Sequence, residues 1–394
     1  MGKMKNVMVL TTGRADYGLL YPLIKKIEKS EKSNLILCAT GSHLSKFHGY
    51  TLDLIKKDNI AVDYQVDLKI GSDTEQDICS SISIGIQGFS EIFLKNRPDV
   101  LILLGDRYEL FCVAIPAVIY KIPIVHLYGG EVTKGAVDDS VRHCVTKMSS
   151  LHFASLEIYR KRIIQMGEFP DKVFNVGALG IDNIKNTNLP AIDELKSITG
   201  ADFRKKIALM TYHPVTLDDY EETEKQINEI LNAIKNCEIC VLATMPNADS
   251  GNSLIFNSLK NFSEKYPQKL ILVKNLGQRI YLGAMKYCSL VIGNSSSGII
   301  ESPYFKTPVV NIGDRQAGRF KADNIIDCEC QKEAIEKSVE KALSLEFRKK
   351  LEKMINPYGE GNTAEKILNV IDKTDFSDKN FLKKGFYDYL KSDV

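Results

Sequence analysis

Residues 289–316, SLVIGNSSSGIIESPYFKTPVVNIGDRQ, decide how the chain folds. Leu290 to Ile292 is a short apolar run of strand type, and Gly293, Asn294, three serines and Gly298 follow as a tight turn. A helix is expected from about Ile299, and Pro308 to Ile312 reads as the next strand. Small residues between a strand end and a helix start let backbone N–H groups and hydroxyls converge on an anion, and the positive end of the helix dipole favours negative charge there. Glu301 falls just inside the expected helix, within reach of a sugar hydroxyl, and Arg315 can return toward the same pocket. One reading is a cradle for a diphosphate and its ribose. The other is a plain strand-to-helix loop with a serine N-cap.

Working outward, the same alternation fills the chain. Val7–Leu10, Leu35–Ala39, Val100–Leu104, Ile122–Leu127, Leu151–Ala154 and Val173–Val176 read as short strands, most with helical patterns after them. Polar residues from Asn183 to Thr199, with Pro190, read as a link to a second unit. That unit has strands at Ile207–Met210, Ile239–Ala243 and Leu270–Val273, ahead of the serine turn. Short apolar strands alternating with helices predict parallel sheets covered on both faces. The fold class is therefore α/β, with two Rossmann-like domains facing across a cleft. The expected divisions are 1–183, 184–365, and a C-terminal segment 366–394. Thr363–Ile371, which straddles the start of that segment, and Phe381–Leu390 read as amphipathic helices, the last packing back on the first domain.

A chain of 394 residues is too long for one ordinary core. Its 52 basic and 50 acidic residues nearly cancel, so it carries no electrostatic footprint for nucleic acid or an anionic membrane. Nine scattered cysteines suit buried thiols in a reducing compartment. Cys237 and Cys240 form a C-x-x-C pair, but Cys328 and Cys330 have the wrong spacing to complete a zinc ribbon, so strand packing is the preferred reading. Lys3 and Lys5 run straight into a strand, which predicts no signal peptide and a cytoplasmic location.

Polar residues gather where strands end, the edge at which open parallel sheets bind ligands. Arg14 follows the first strand and suits a phosphate or a carboxylate; a surface arginine would look the same. Asp106 and Arg107 follow an apolar strand directly, and the carboxylate there is a base or a structural ion-pair partner. Glu131, Asp138 and Asp139, with Arg142 and His143, make a dense cluster in which neighbouring carboxylates push each other's pKa apart. A helix N-terminus enriched in acids is the alternative. His213, between a strand and a proline, is placed to donate to a diphosphate, and Asn247 lies in the MPNADSG segment after the following strand. No G-x-G-x-x-G follows the first strand, no Walker lysine follows a glycine loop, and no G-x-S-x-G elbow occurs.

Taken together, TTGRADYG, GDRYE, GGEVTKGAVDDSVRH, YHP, PNAD and GNSSSGIIE followed by GDRQ resemble the hydrolysing UDP-N-acetylglucosamine 2-epimerases of bacterial sialic and legionaminic acid synthesis. The resemblance runs from about residue 5 to about residue 375 and implies the glycosyltransferase-B type of fold. It implies anti elimination of UDP to a 2-acetamidoglucal, then hydration to N-acetylmannosamine, with no cofactor and no metal. Asp106 and Asp138 match the family's catalytic carboxylates. Arg14, His213, Ser295, Ser296, Glu301 and Arg315 match its UDP contacts, with Ser297 in the same turn. Where many members carry a catalytic glutamate this chain has Tyr128, and Glu131 is the nearest remaining candidate. Members are usually dimers or tetramers. A UDP-2,4-diacetamido-trideoxy sugar as substrate, and a glycosyltransferase of the same fold, are the alternatives.

Overall fold

A computed structural model describes residues 4–45, 50–72, 74–133, 137–214, 220–244, 252–273 and 276–388. The chain divides into two compact units, residues 1–183 with 359–394, and residues 184–358.

The first unit holds β1 (Lys5–Thr11), β2 (Ser33–Thr40), β3 (Tyr64–Val66), β4 (Val100–Leu104), β5 (Ile124–Leu127), β6 (Leu151–Ala154) and β7 (Val173–Asn175). These form one seven-stranded sheet in the order β3-β2-β1-β4-β5-β6-β7, with every pair parallel. The second unit holds β8 (Ile207–Thr211), β9 (Cys240–Thr244), β10 (Leu270–Val273), β11 (Leu290–Gly293), β12 (Val309–Ile312) and β13 (Ile325–Cys328). Its six-stranded sheet runs β10-β9-β8-β11-β12-β13, also all parallel. Strand order therefore reverses between β1 and β4 in one sheet and between β8 and β11 in the other. Reversal splays the following loops apart and leaves a crevice at the carboxyl ends of the two central strands.

The strands are apolar throughout because both faces of each sheet are covered. Val7 and Val9 enter one core of the first unit while Met8 and Leu10 enter the other, as the two-residue period of a strand requires. Met210 and Leu209 divide the second unit's cores in the same way.

The polar stretch Asn183–Thr199, at whose start the first unit gives way to the second, carries parts of two helices, Leu179–Asn186 and Ile192–Thr199, on either side of Pro190. Leu195 and Thr199 give the second a buried stripe, and Gly200 ends it in the left-handed conformation at φ 75. One reading from the sequence needs correcting here. Among the described residues of the C-terminal segment the one helix is Thr363–Lys373, and residues 381–388 carry none. Return to the first unit begins at Gly359, ahead of the expected division after residue 365.

The Thr363–Lys373 helix is seated by Asp182, whose carboxylate accepts from the N–H groups of Thr363 and Ala364 at 2.9 and 2.8 Å. Beyond it the tail is held by side chains instead of a helical face. Lys384 donates to the carbonyls of Lys147 and Ser149 and ion-pairs with buried Glu168 at 2.7 Å, while Tyr387 N–H bonds Gly167 O. Burial works to raise the Glu168 carboxyl, but hydrogen bonds from His152, Lys147 and Lys384 outweigh it and hold the group at about 2. A depressed carboxyl stabilises above its unfolded value and loses that contribution as pH falls through the folded one. Lys384→Met is therefore expected to cost about 3 kcal/mol near neutral pH. Its deficit against wild type in urea unfolding should narrow as pH drops from the ordinary 4.5 toward 2. A deficit independent of pH would assign the loss to packing alone.

Candidate active site

In the first unit the loops after β4 and β5 and the helix Val137–Met148 meet around Arg142. Its side chain is 4% exposed, so the guanidinium must be satisfied by protein groups. It ion-pairs with Asp106, and bonds Asp139 at 2.6 Å, the Glu131 carbonyl at 2.9 Å and the Thr133 hydroxyl at 3.1 Å. Asp139 also accepts from the Thr133 N–H at 2.9 Å, closing the loop over the helix start. One buried cation thus collects Asp106, Glu131 and the acidic first turn of the helix. Burial, then the neighbouring charge of Asp106, pushes the Asp138 carboxyl up, and Arg107 and Arg142 oppose that. Glu131 accepts from Ser155 at 3.0 Å. Arg14, the first residue of the helix Arg14–Glu28, is exposed.

Tyr128 sits in the left-handed region at φ 65, costly for a residue with a Cβ. Gly130 beside it, at φ 78, must be glycine, because a Cβ would stand 2.4 Å from the Tyr159 carbonyl oxygen. The Tyr128 hydroxyl accepts from the Leu179 N–H at 2.7 Å, at the start of the Leu179–Asn186 helix. Burial, then the charge of Glu131, drives this phenol well above its ordinary pKa. The tyrosine is a structural anchor. Tyr128→Phe is expected to cost about 1 kcal/mol in stability and to leave turnover within about threefold. A hundredfold loss of turnover would instead make the phenol a proton donor.

In the second unit the loops after β8 and β11 meet at the strand-order reversal. Gly293 ends β11 at φ 134, and a Cβ there would lie 2.1 Å from the Thr211 carbonyl oxygen, so only glycine lets the two backbones pass. Asn294 then locks the loops together. It accepts from His213 N–H at 2.7 Å and donates to His213 O at 2.8 Å. Its own carbonyl accepts from Arg315 at 3.1 Å and Gln316 at 2.8 Å. Ser295 caps the short helix Ser296–Ile300, accepting from the Ser297 N–H. Ser297 donates to Glu301, whose carboxyl is pushed up by burial against that bond. Glu301 stands not inside a helix but at the junction of Ser296–Ile300 and Ser302–Phe305. The break is at Pro303, which has no N–H to continue the first helix.

The structure thus brings His213, Ser295, Ser296, Ser297, Glu301 and Arg315 together in one unit, and Asp106, Glu131 and Asp138 in the other. Asn247 lies outside the described residues. Sequence reasoning passed over Asn294 and Gln316 as site residues, and also Tyr281, whose hydroxyl is 3.4 Å from that of Thr211 and is hydrogen-bonded by Ser297. It gave His126 no role, yet this buried ring bonds the Gly105 carbonyl at 2.8 Å and Thr146 at 3.0 Å, and burial pushes its pKa down to about 3. Such bonds bridge elements distant in sequence, so no local pattern announces them. Cys237 and Cys240 are free thiols, and no group of three metal-ligating side chains occurs among the described residues. No described helix is long and apolar enough to cross a membrane.

The sequence profile of the UDP-N-acetylglucosamine 2-epimerases matches residues 25–372. The chain belongs to that family. It is 41% identical over 351 residues to a Campylobacter jejuni protein named GDP/UDP-N,N'-diacetylbacillosamine 2-epimerase (hydrolyzing), covering 88% of this chain and 90% of that one. It is 36% identical over 388 residues to the Escherichia coli polysialic acid biosynthesis protein P7, covering 98% of each. Among solved structures, the Neisseria meningitidis UDP-GlcNAc 2-epimerase bound to UDP-GlcNAc superposes with a TM-score of 0.77 at 19% identity, over 94% of this chain and all of that one. That likeness shows a shared glycosyltransferase-B type fold.

Proposed function

We propose that this epimerase is hydrolysing, converting UDP-N-acetylglucosamine and water to N-acetylmannosamine and UDP. In this reading the serine turn, His213 and Arg315 of the second unit hold the UDP, and the carboxylates of the first unit act on the sugar. The observation that carries it is the cluster around Arg142. A site that only bound a dianionic diphosphate would have no use for several carboxylates.

Asp138 takes the proton from carbon 2 as the C1–O bond to UDP breaks, giving the glucal. Arg142 ties down Asp106 and Asp139, while Asp138 is the carboxylate whose basicity the site raises. Water then adds across the double bond. The hydroxyl goes to carbon 1, and Asp106 or Glu131, in its protonated form, supplies a proton to carbon 2 from the opposite face, which inverts that centre; the donor regains its proton from the attacking water, and Asp138 gives the carbon-2 proton up to solvent. The balance needs no oxidant.

The name of the Campylobacter relative supports a second reading, the same reaction on a UDP-2,4-diacetamido sugar. The elimination chemistry is indifferent to the groups at carbons 4 and 6. Incubating the purified protein with each UDP-sugar in heavy water, without acceptor, tests both. Free UDP and a 2-epimeric sugar carrying deuterium at carbon 2 are expected, and the higher kcat/KM identifies the substrate. A UDP-linked epimer would mean a non-hydrolysing enzyme, and UDP release only with an added acceptor would mean a glycosyltransferase.

A further inference from the structure

We propose that His126 is a positioning residue, whose buried ring fixes the Gly105–Asp106 peptide and so aims the Asp106 carboxylate at Arg142; its effect on turnover rests on the reaction proposed above. His126 lies in β5 and is fully buried. A ring so far from water needs partners for its nitrogens, and it finds them on two other elements. Nε2 stands 2.8 Å from the Gly105 carbonyl oxygen, just past β4, and Nδ1 stands 3.0 Å from the Thr146 hydroxyl in the helix Val137–Met148. A carbonyl only accepts, so Nε2 carries the hydrogen. Burial keeps the ring neutral, and Nδ1 is therefore the acceptor of the Thr146 hydroxyl. That hydroxyl also lies 2.9 Å from the Arg142 carbonyl one turn earlier, so its proton is shared between the two. One ring thus touches the backbone ahead of Asp106 and the helix that carries Arg142.

Gly105 is where the chain leaves β4, and it is the residue most in need of a restraint. Its φ of 83 lies in the left-handed region, and a Cβ there would meet nothing within 4 Å, so packing does not pin the turn. Two bonds from β5 do so instead. The Gly105 N–H donates to the Leu127 carbonyl at 3.0 Å, and the Gly105 carbonyl accepts from His126. With both ends of the glycine tied, the direction in which the chain enters Asp106 is set, and the Asp106 carboxylate meets Arg142. Gly129 leaves room for the ring, since a Cβ there would stand 3.1 Å from Nδ1 and 2.9 Å from the Thr146 hydroxyl.

The test compares wild type with His126→Gln and His126→Asn. A glutamine amide nitrogen reaches as far as Nε2 and keeps the bond to Gly105, whereas asparagine reaches only as far as Nδ1 and loses it. Both lack the aromatic ring, so any ring-current shift is common to the two. Labelling glycine at the carbonyl carbon and aspartate at nitrogen leaves two doubly labelled peptides in this sequence, Gly105–Asp106 and Gly313–Asp314. The first signal is expected to differ between His126→Asn and His126→Gln, and the second to coincide. His126→Asn should lose on the order of a hundredfold in kcat, with KM and the affinity for UDP alone close to wild type, and His126→Gln should return to within about tenfold of wild type. In wild type with nitrogen-labelled histidine, this ring, assigned by its absence from His126→Gln, should be neutral with its hydrogen on Nε2 between about pH 5 and 8. That measurement stands even where His126→Asn fails to fold. A hydrogen on Nδ1, equal losses in the two variants, or a Gly105–Asp106 signal common to both would overturn the assignment. A wild type without turnover of UDP-sugars, together with the expected signals, would sink the reaction proposed above and leave the positioning intact.

Discussion

Asp106→Asn is expected to hold UDP as wild type does and to release UDP from a UDP-sugar at least about a hundredfold more slowly. UDP leaves in the elimination, and an amide of the same shape removes the negative charge that raises the Asp138 base there and offers Arg142 one neutral oxygen in place of a carboxylate. It also leaves Glu131 as the sole candidate to deliver the hydration proton. The UDP contacts proposed for the second unit are untouched, so binding should survive, measured by calorimetry with UDP alone. Equal turnover would take Asp106 out of the chemistry. Lost UDP affinity would place it in the nucleotide site instead.

Arg142→Met is expected to be the most damaging single change, with about 3 kcal/mol of stability lost and turnover reduced by at least a thousandfold. Methionine fills the space but leaves Asp106 and Asp139, 30% and 25% exposed, facing one another's charge without their cation. The Glu131 carbonyl and Thr133 hydroxyl lose a donor as well. Chemical denaturation at neutral pH reads the stability term, and coupled UDP release reads the activity. An intact fold with near-normal rates would mean that the cluster is ornamental to the reaction.

Much of this architecture was legible before any coordinates. Central strands such as Val100–Leu104 are apolar on both faces, so they show as continuous runs, and glycine and serine turns punctuate them. The two strands left unread, Tyr64–Val66 and Ile325–Cys328, are both at sheet edges, where one flank is unpaired and burial is incomplete. The tail at 381–388 misled because Phe381, Phe386 and Tyr387 suggest a helical stripe. Their rings instead meet separate partners, among them Phe376, Lys147 and Phe169.

By itself, then, the sequence determined the α/β class, the two parallel sheets and the strand ends at which polar residues collect, since period and turn chemistry are written locally. Only the tertiary structure decided that Arg142 is the hub of the acids, that Tyr128 anchors a helix start, and that His126 bonds the Gly105 carbonyl. Those relations depend on which strand ends and helix turns lie side by side. A buried charge takes whatever partner the packing brings within about 3 Å, however far away it sits along the chain.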